Sequence, residues 1–319
     1  MNDFKDIHGQ DLAIQILSST ISKGHISPAY LFSGPEGVGR KKTAKVFIKS
    51  ILDKNINRES TKRKIENNNH PDLLWIEPSY MVQGKSISQE KAKSENISIK
   101  SPSQIRLSQI KEIIEFLSKK PLESERNIVI IEDIEKMNES ASNALLKTLE
   151  EPNTGLFILI TQRPEKLLST IRSRCQIVPF KRLNDNEVNK IIQKINVIEN
   201  INEIPREKIQ ELISFSDGSP GRYLTNIQYW LDISSALRQN TEIKLTNKID
   251  VLKLAKDITD ELNIEQQLWF INFQQNIMWE KENNSNMVIK LEELRKQLLT
   301  YVQPRLAWEI TLLEINFSN

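Results

Sequence analysis

Through about residue 180 the chain alternates short, continuously apolar runs with stretches whose apolar residues recur at helical spacing. Ala29-Tyr30-Leu31-Phe32, Asn127-Ile128-Val129-Ile130-Ile131 and Leu156-Phe157-Ile158-Leu159-Ile160-Thr161 are runs of the kind that fill central parallel strands, buried on both faces. Pro71-Asp72-Leu73-Leu74-Trp75-Ile76-Glu77 reads as another strand after a turn, and Cys175-Gln176-Ile177-Val178-Pro179-Phe180 as a shorter one. Between them, Arg40 to Leu52 is helix-like. Ile105, Ile110, Ile113, Ile114 and Leu117 mark a helix over Ser103 to Lys119 that Pro121 closes. A further helix starts at an N-cap supplied by Asn138 or Ser140, carries Ala144, Leu145 and Leu149 on one face, and stops at Glu150-Glu151-Pro152. Asp53 to Ser101 is otherwise polar and irregular, with Tyr80 to Ser98 expected as a mobile insertion.

Strands alternating with helices predict an α/β domain with a parallel sheet. After Leu183 the pattern turns wholly helical, with a break at Asp217-Gly218-Ser219-Pro220-Gly221 and a last helical region from Tyr229 that holds Trp230, Trp269, Trp279 and Trp308. Those tryptophans occupy helical apolar positions, which suits packing or a subunit interface better than a ligand cage. The expected division is therefore 1–182, an α/β nucleotide-binding-like domain; 183–228, a small helical lid; and 229–319, a C-terminal helical oligomerisation domain. A length of 319 residues accommodates two or three such parts.

Composition narrows the function. Forty-four Lys plus Arg against forty-two Asp plus Glu leave a formal net charge of +2, so no globally basic nucleic-acid coat is indicated. Ten basic residues between Arg40 and Lys64 face only two acids, Asp53 and Glu59, but a single aromatic among them, Phe47, favours a solvated basic face over a base-stacking surface. No apolar run approaches the roughly 18 residues that would span a bilayer, so no membrane partner is expected. The acidic start of the chain lacks the apolar core of a secretory signal, which favours the cytoplasm. The single cysteine, Cys175, excludes an internal disulfide and any cysteine-based zinc site. With no histidine in a Cys-His-acid pattern, Cys175 reads as a small buried residue.

Candidate chemistry begins at Gly34-Pro35-Glu36-Gly37-Val38-Gly39, where three of the nine glycines lie between a strand and a helix. A phosphate-binding loop has that order, followed by Lys and then Ser or Thr. Here Gly34, Gly37 and Gly39 keep the backbone, while Arg40 replaces the lysine and Lys41 the hydroxyl residue. Arginine is a planar fork rather than a compact ammonium, and lysine offers no oxygen to Mg²⁺. Glu132-Asp133 ends a strand as a metal-holding acid pair would, but in the reverse of the usual Asp-Glu order, so its second carboxylate is too short to align a water well. Two acids at the carboxyl end of a strand are more often solvated caps than catalysts. Arg174, between two strands, could stabilise charge on a transferring phosphoryl group, or could be an ordinary ion-paired arginine.

Together these residues resemble the AAA+ clamp-loader family, most of all its delta-prime branch in bacterial DNA polymerase III. The glycine loop carries the resemblance along with His70-Pro71-Asp72-Leu73-Leu74-Trp75-Ile76-Glu77-Pro78 and the stretch Met137 to Pro152. It continues through Arg172-Ser173-Arg174-Cys175, Gly218-Ser219-Pro220-Gly221-Arg222 and Pro304-Arg305-Leu306-Ala307. The resemblance implies a AAA+ fold, a lid and a collar through which five subunits associate to place a sliding clamp on primed DNA. Its expected partners are gamma/tau-type ATPase and delta-type subunits, with clamp and DNA reached through the complex. It makes Arg174 a finger acting in trans on a neighbouring ATPase, gives Thr161 the first sensor position and gives Arg222 or Gly221 the second. Members of the family commonly carry a four-cysteine zinc module. The corresponding stretch here, about 53–69, has no cysteine, so no zinc is expected. Arg40 and Lys41 weigh against ATP as a cofactor and more heavily against its hydrolysis. That favours a non-catalytic subunit over an active gamma/tau-type ATPase with a modified loop; a nucleic-acid-binding protein that kept the fold is the third reading.

Overall fold

The structure is a computed structural model. It describes residues 4–52, 58–82, 84–88, 91, 102–150, 155–194, 204–240, 247–282, 285–300 and 302–317. The chain forms two compact units, one of residues 1–194 with 219–221, the other of 195–218 with 222–319.

The first unit is built on a parallel sheet of β1 (Ala29–Ser33), β2 (Leu73–Ile76), β5 (Ile128–Ile131), β6 (Leu156–Thr161) and β7 (Gln176–Pro179), in the order β2-β5-β6-β1-β7. In register, Leu31 faces Leu159 on one side and Ile177 on the other. The apolar runs are continuous because successive side chains enter opposite cores. Tyr30, Phe32, Ile128, Ile130, Ile158 and Ile160 pack with Ala13 and Leu17 of α1 (Asp11–Lys23) and with Ala44, Phe47 and Ile48 of α2 (Arg40–Leu52). Ala29, Leu31, Val129, Ile131, Phe157 and Leu159 pack on the other face with Ile110 and Ile113 of α4 (Leu107–Ser118) and Ala141 and Leu145 of α5 (Glu139–Glu150). The short helix α6 (Ser169–Ser173) precedes β7, and α7 (Asp185–Lys194) follows it. The α/β architecture expected from the sequence is thus present.

Three local readings change. Helix α4 begins at Leu107, not Ser103, because Gln104 and Ile105 are extended and bridge to Ser79 and Met137. Within the stretch read as irregular, α3 (Arg58–Glu66) is helical, and β3 (Ser79–Val82) and β4 (Lys85–Ser88) form an antiparallel hairpin where a mobile insertion was expected. Apart from Lys91, the rest of that insertion lies outside the described residues, as do Glu151 and Pro152. Of the two N-cap candidates, Asn138 caps α5, its Oδ1 accepting from the backbone N–H of Ala141 at 2.9 Å.

Asp72 ties β2 to the loop that leads into β5. Its buried carboxylate accepts backbone N–H bonds from Leu122 (2.6 Å), Glu123 (2.8 Å) and Ser124 (2.7 Å), and the Ser124 hydroxyl at 2.8 Å. Burial opposes the charged form, but these donors outweigh it and hold the carboxyl below its ordinary value.

The second unit is helical. Its described helices include α8 (Arg206–Phe215), α9 (Pro220–Asp232, whose first two residues are grouped with the first unit), α10 (Ser235–Asn240), α11 (Lys248–Glu261), α12 (Ile264–Glu282), α13 (Ser285–Leu298) and α14 (Pro304–Phe317). Trp269 stacks on Phe273 with centroids 5.3 Å apart, and Phe215 and Trp230 meet Phe273 edge-on. The Nε1–H of Trp269 donates to Asn226, and that of Trp308 to Gln267. Trp230, Trp269 and Trp308 are therefore packing residues, whereas Trp279 is 57% exposed. No helix among the described residues is long and apolar enough to cross a membrane.

Asp72→Asn should destabilise the protein by about 2–3 kcal/mol at pH 7, since it sets an amide against three backbone donors. Because the folded carboxyl titrates below the unfolded one, its contribution is present above about pH 4 and is lost as pH falls through the lower folded value. Urea titrations at neutral and acidic pH should show the gap between wild type and variant narrowing in acid. A gap that persists unchanged contradicts the assignment.

Candidate functional site

The carboxyl ends of β1, β5 and β6 converge on the glycine loop. Gly34 donates its N–H to the carbonyl of Thr161 at 3.2 Å. A Cβ at Gly34 would lie 2.3 Å from the carbonyl oxygen of Phe180, so only glycine fits between β1 and the end of β7. Gly37 and Gly39 adopt φ of 72° and 98°, in the region that side chains disfavour.

Four successive loop carbonyls are each met by a protein donor. Ser219 Oγ donates to Glu36 O (2.7 Å), Gly221 N to Gly37 O (2.9 Å), Gln10 Nε2 to Val38 O (3.4 Å), and Thr43 N to Gly39 O (2.8 Å). Gln10, buried, also bonds both ways with the backbone of Lys181. A Cβ at Gly221 would lie 2.7 Å from Gly37 Cα, which explains a glycine there. The loop's shape is held by the protein itself.

Arg40 opens α2 and is buried, and its Nη1 has no hydrogen-bond partner among the described residues. Burial strips its guanidinium of water and lowers its pKa more than Asp133, Glu135, Glu36 and Glu132 raise it. The next residue, Lys41, places its ammonium on the Glu132 carboxylate in an ion pair, with Glu77 at 3.9 Å. Glu132 is buried, and its Oε1 also accepts from Trp75 Nε1 at 2.7 Å. Asp133 is in a left-handed conformation, φ 44°, and pairs with Lys136 at 2.8 Å. Neither acid of the strand-end pair is simply solvated.

Thr161 is buried at the end of β6 and donates its hydroxyl to Glu135 Oε2 at 2.8 Å, while the other Glu135 oxygen accepts from Gln162 N at 3.1 Å. Arg174 follows α6 at the surface, donating from Nη1 to Thr170 O (3.0 Å) and from Nη2 to Glu150 Oε1 (2.6 Å). Cys175 is buried in the core beside it, and desolvation pushes its thiol up to about 12, which makes it inert. Gly221 is grouped with the first unit, and Arg222 falls in the second.

Gly34, Gly37, Gly39, Arg40, Lys41, Glu132, Asp133 and Thr161 thus share the first unit, with the loop, the head of α2 and the ends of β5 and β6 carrying them. Sequence reasoning missed Glu135, Gln10 and Trp75. Gln10 carried a faint signal as a polar residue just before an amphipathic helix. Glu135 and Trp75 carried none, because their roles depend on partners 26 and 57 positions away. Of the basic run, Lys62 pairs with Glu66 and Lys64 with Glu123, as in a solvated face.

Residues 9–184 match the model of a family described as DNA polymerase III, delta subunit. Residues 186–315 match one described as cyanobacterial DNA polymerase III delta prime, C-terminal domain. The chain is 34% identical to DNA polymerase III subunit delta' of Bacillus subtilis over 185 residues, 56% of this chain and 50% of that one. It is 28% identical to DNA polymerase III subunit tau of the same organism over 280 residues, 84% and 45% of the two chains. These matches span about half the length of the two relatives. A gamma subunit-related protein of Thermotoga maritima aligns with 93% of this chain and 97% of its own at 16% identity, with a TM-score of 0.48.

Gly34→Ala should cost roughly 3 kcal/mol or more, since a backbone carbonyl cannot retreat from the added methyl. Gly39→Ala, where nothing lies within 4 Å of the position the methyl would take, should cost only the strain of its φ, about 1–2 kcal/mol. Chemical denaturation of the two variants side by side checks the order, and equal losses would contradict it.

Proposed function

The chain belongs to the family described as DNA polymerase III, delta subunit, and from that membership we propose that it is a delta-prime-like clamp-loader subunit that does not turn over ATP itself and presents Arg174 to a neighbouring ATPase. The observation that carries this reading is the ammonium of Lys41 on Glu132. A magnesium nucleotide needs a hydroxyl at position 41 and a free strand-end carboxylate to hold the metal. Lys41 supplies no oxygen, and a divalent cation beside its charge would be repelled. Thr161 at the sensor position is already engaged with Glu135. The residues present do not fit a magnesium-bound nucleotide, so no catalytic step is assigned to this loop.

What the loop retains is its shape. Its carbonyls are met from Gln10, Thr43, Ser219 and Gly221, so in this reading it serves as scaffold where an ATPase would use it as a cradle. Support for a role in trans comes from Arg174, which is exposed on a backbone anchored on either side by buried Ile171 and Cys175. Within the complex the partners are gamma/tau-type and delta-type subunits, the sliding clamp and primed DNA, in the cytoplasm. The domain scheme of 1–182, 183–228 and 229–319, the last an oligomerisation collar, belongs to the same proposal. Arg222 keeps its place there as a second-sensor residue.

The isolated chain should show no magnesium-dependent ATP turnover above a buffer blank. Arg40→Lys with Lys41→Thr should leave turnover poor even if it restores binding, because the Glu132-Asp133 order is still reversed. A robust wild-type rate that is lost in Asp133→Asn would establish the active-ATPase reading instead.

Arg174→Ala should lower the DNA- and clamp-stimulated ATPase of the reconstituted complex while leaving assembly and melting unchanged. A finger supplied in trans is worth about 10³–10⁵ in rate. A complex with several ATP sites should lose less overall, because one finger serves one site. Unchanged ATPase and clamp loading in a correctly assembled variant complex would reduce Arg174 to an ordinary surface arginine.

A further inference from the structure

Glu150 is the last described residue of α5, and its carboxylate accepts from Arg174 Nη2 at 2.6 Å. Both side chains are part-exposed, Arg174 by 36% and Glu150 by 46%, so the pair adds little to stability. Its geometry is nonetheless definite. Arg174 is fixed at two nitrogens, Nη1 by Thr170 O and Nη2 by Glu150. Both supports stand on anchored elements: α5 buries Ala141 and Leu145, and the backbone around Arg174 is pinned by Ile171 and Cys175.

We propose that Glu150 is a positioning residue for Arg174, holding the guanidinium plane so that its remaining N–H groups are presented outward to an anionic phosphoryl group on a neighbouring subunit. The proposal rests on the reading of Arg174 as a finger acting in trans. A long arginine at a surface loses much rotamer freedom when it engages a partner, and fixing it beforehand removes that cost from the step it assists. Two anchored nitrogens leave the guanidinium with further donors, which is what a fork-shaped cation needs to support one acceptor while meeting another. A carboxylate serves better here than a neutral acceptor because its hydrogen bond to the guanidinium is charge-assisted and short.

The test uses the reconstituted complex and its DNA- and clamp-stimulated ATPase, with Glu150→Ala, Glu150→Gln, Arg174→Ala and the double variant Glu150→Ala/Arg174→Ala. Glu150→Ala should lower kcat by roughly 3- to 10-fold, within the loss that a misplaced group can cause, and leave the KM for ATP unchanged. Glu150→Gln, which keeps an acceptor oxygen, should retain most of the rate. The double variant should match Arg174→Ala alone, because Glu150 acts only through that arginine. Thermal melting of the free chain should move little in any of them. A wild-type or raised rate in Glu150→Ala, with Arg174→Ala impaired, overturns the positioning role and leaves the trans finger standing. A further loss in the double variant beyond Arg174→Ala also overturns it, by showing that Glu150 acts elsewhere. A wild-type rate in Arg174→Ala overturns both readings together.

Discussion

The burial of β1 on both faces is the constraint on which the rest of the first unit depends. Its residues Ala29 and Leu31 enter one core and Tyr30 and Phe32 the other, and it lies between β6 and β7 in the sheet. A parallel strand in that position can exit only at its carboxyl end, where the ends of its neighbours also lie. The glycine loop therefore emerges against Thr161 on one side and Phe180 on the other. The fit is close enough that the first residue out of the strand has no room for a side chain. Site and sheet are one packing problem.

At that edge the charges balance internally. A phosphate-binding loop ordinarily leaves the neutralisation of its acids to a metal ion and of its cations to a nucleotide. Here Lys41 meets Glu132, Lys136 meets Asp133, and Arg40 lies buried among carboxylates. Arg40 and Lys41 at the head of α2 take part in this because α2 starts where the strand-end acids are. The same helix start that would face a phosphate brings Lys41 to Glu132.

Arg174 lies at the surface of the same unit and has a different physical character. Val38, Arg40, Glu132 and Thr161 are buried, and the loop is tied to the protein on several sides. Among the described residues Arg174 is held by two hydrogen bonds, one of them to an exposed glutamate. A constellation tied on several sides resists change, whereas a part-exposed guanidinium held at two nitrogens keeps further donors for a second acceptor.

The sheet, the order of strands and helices along it, and the loop's place between β1 and α2 were legible in the residues themselves. Continuous apolar runs and helical spacing report burial directly, and only small residues fit where glycines recur. The hairpin of β3 and β4 and the helix α3 escaped because their residues are polar: α3 is largely charged, and the hairpin places few apolar side chains in the core. The late start of α4 escaped because Ile105, apolar and correctly spaced for a helix, instead pairs as extended backbone with Met137. At the site, the sequence by itself determined which groups are present: the glycines, the displaced Arg40 and Lys41, the reversed acids and the exposed arginine. Only the tertiary structure decided which of these groups neutralise one another. Lys41 finds Glu132, Thr161 finds Glu135, and Arg174 finds Glu150, in each case across a separation in sequence of tens of residues. The spacing of residues along a strand or helix can predict its own faces, but a charge pair between elements depends on how the sheet and its helices are packed.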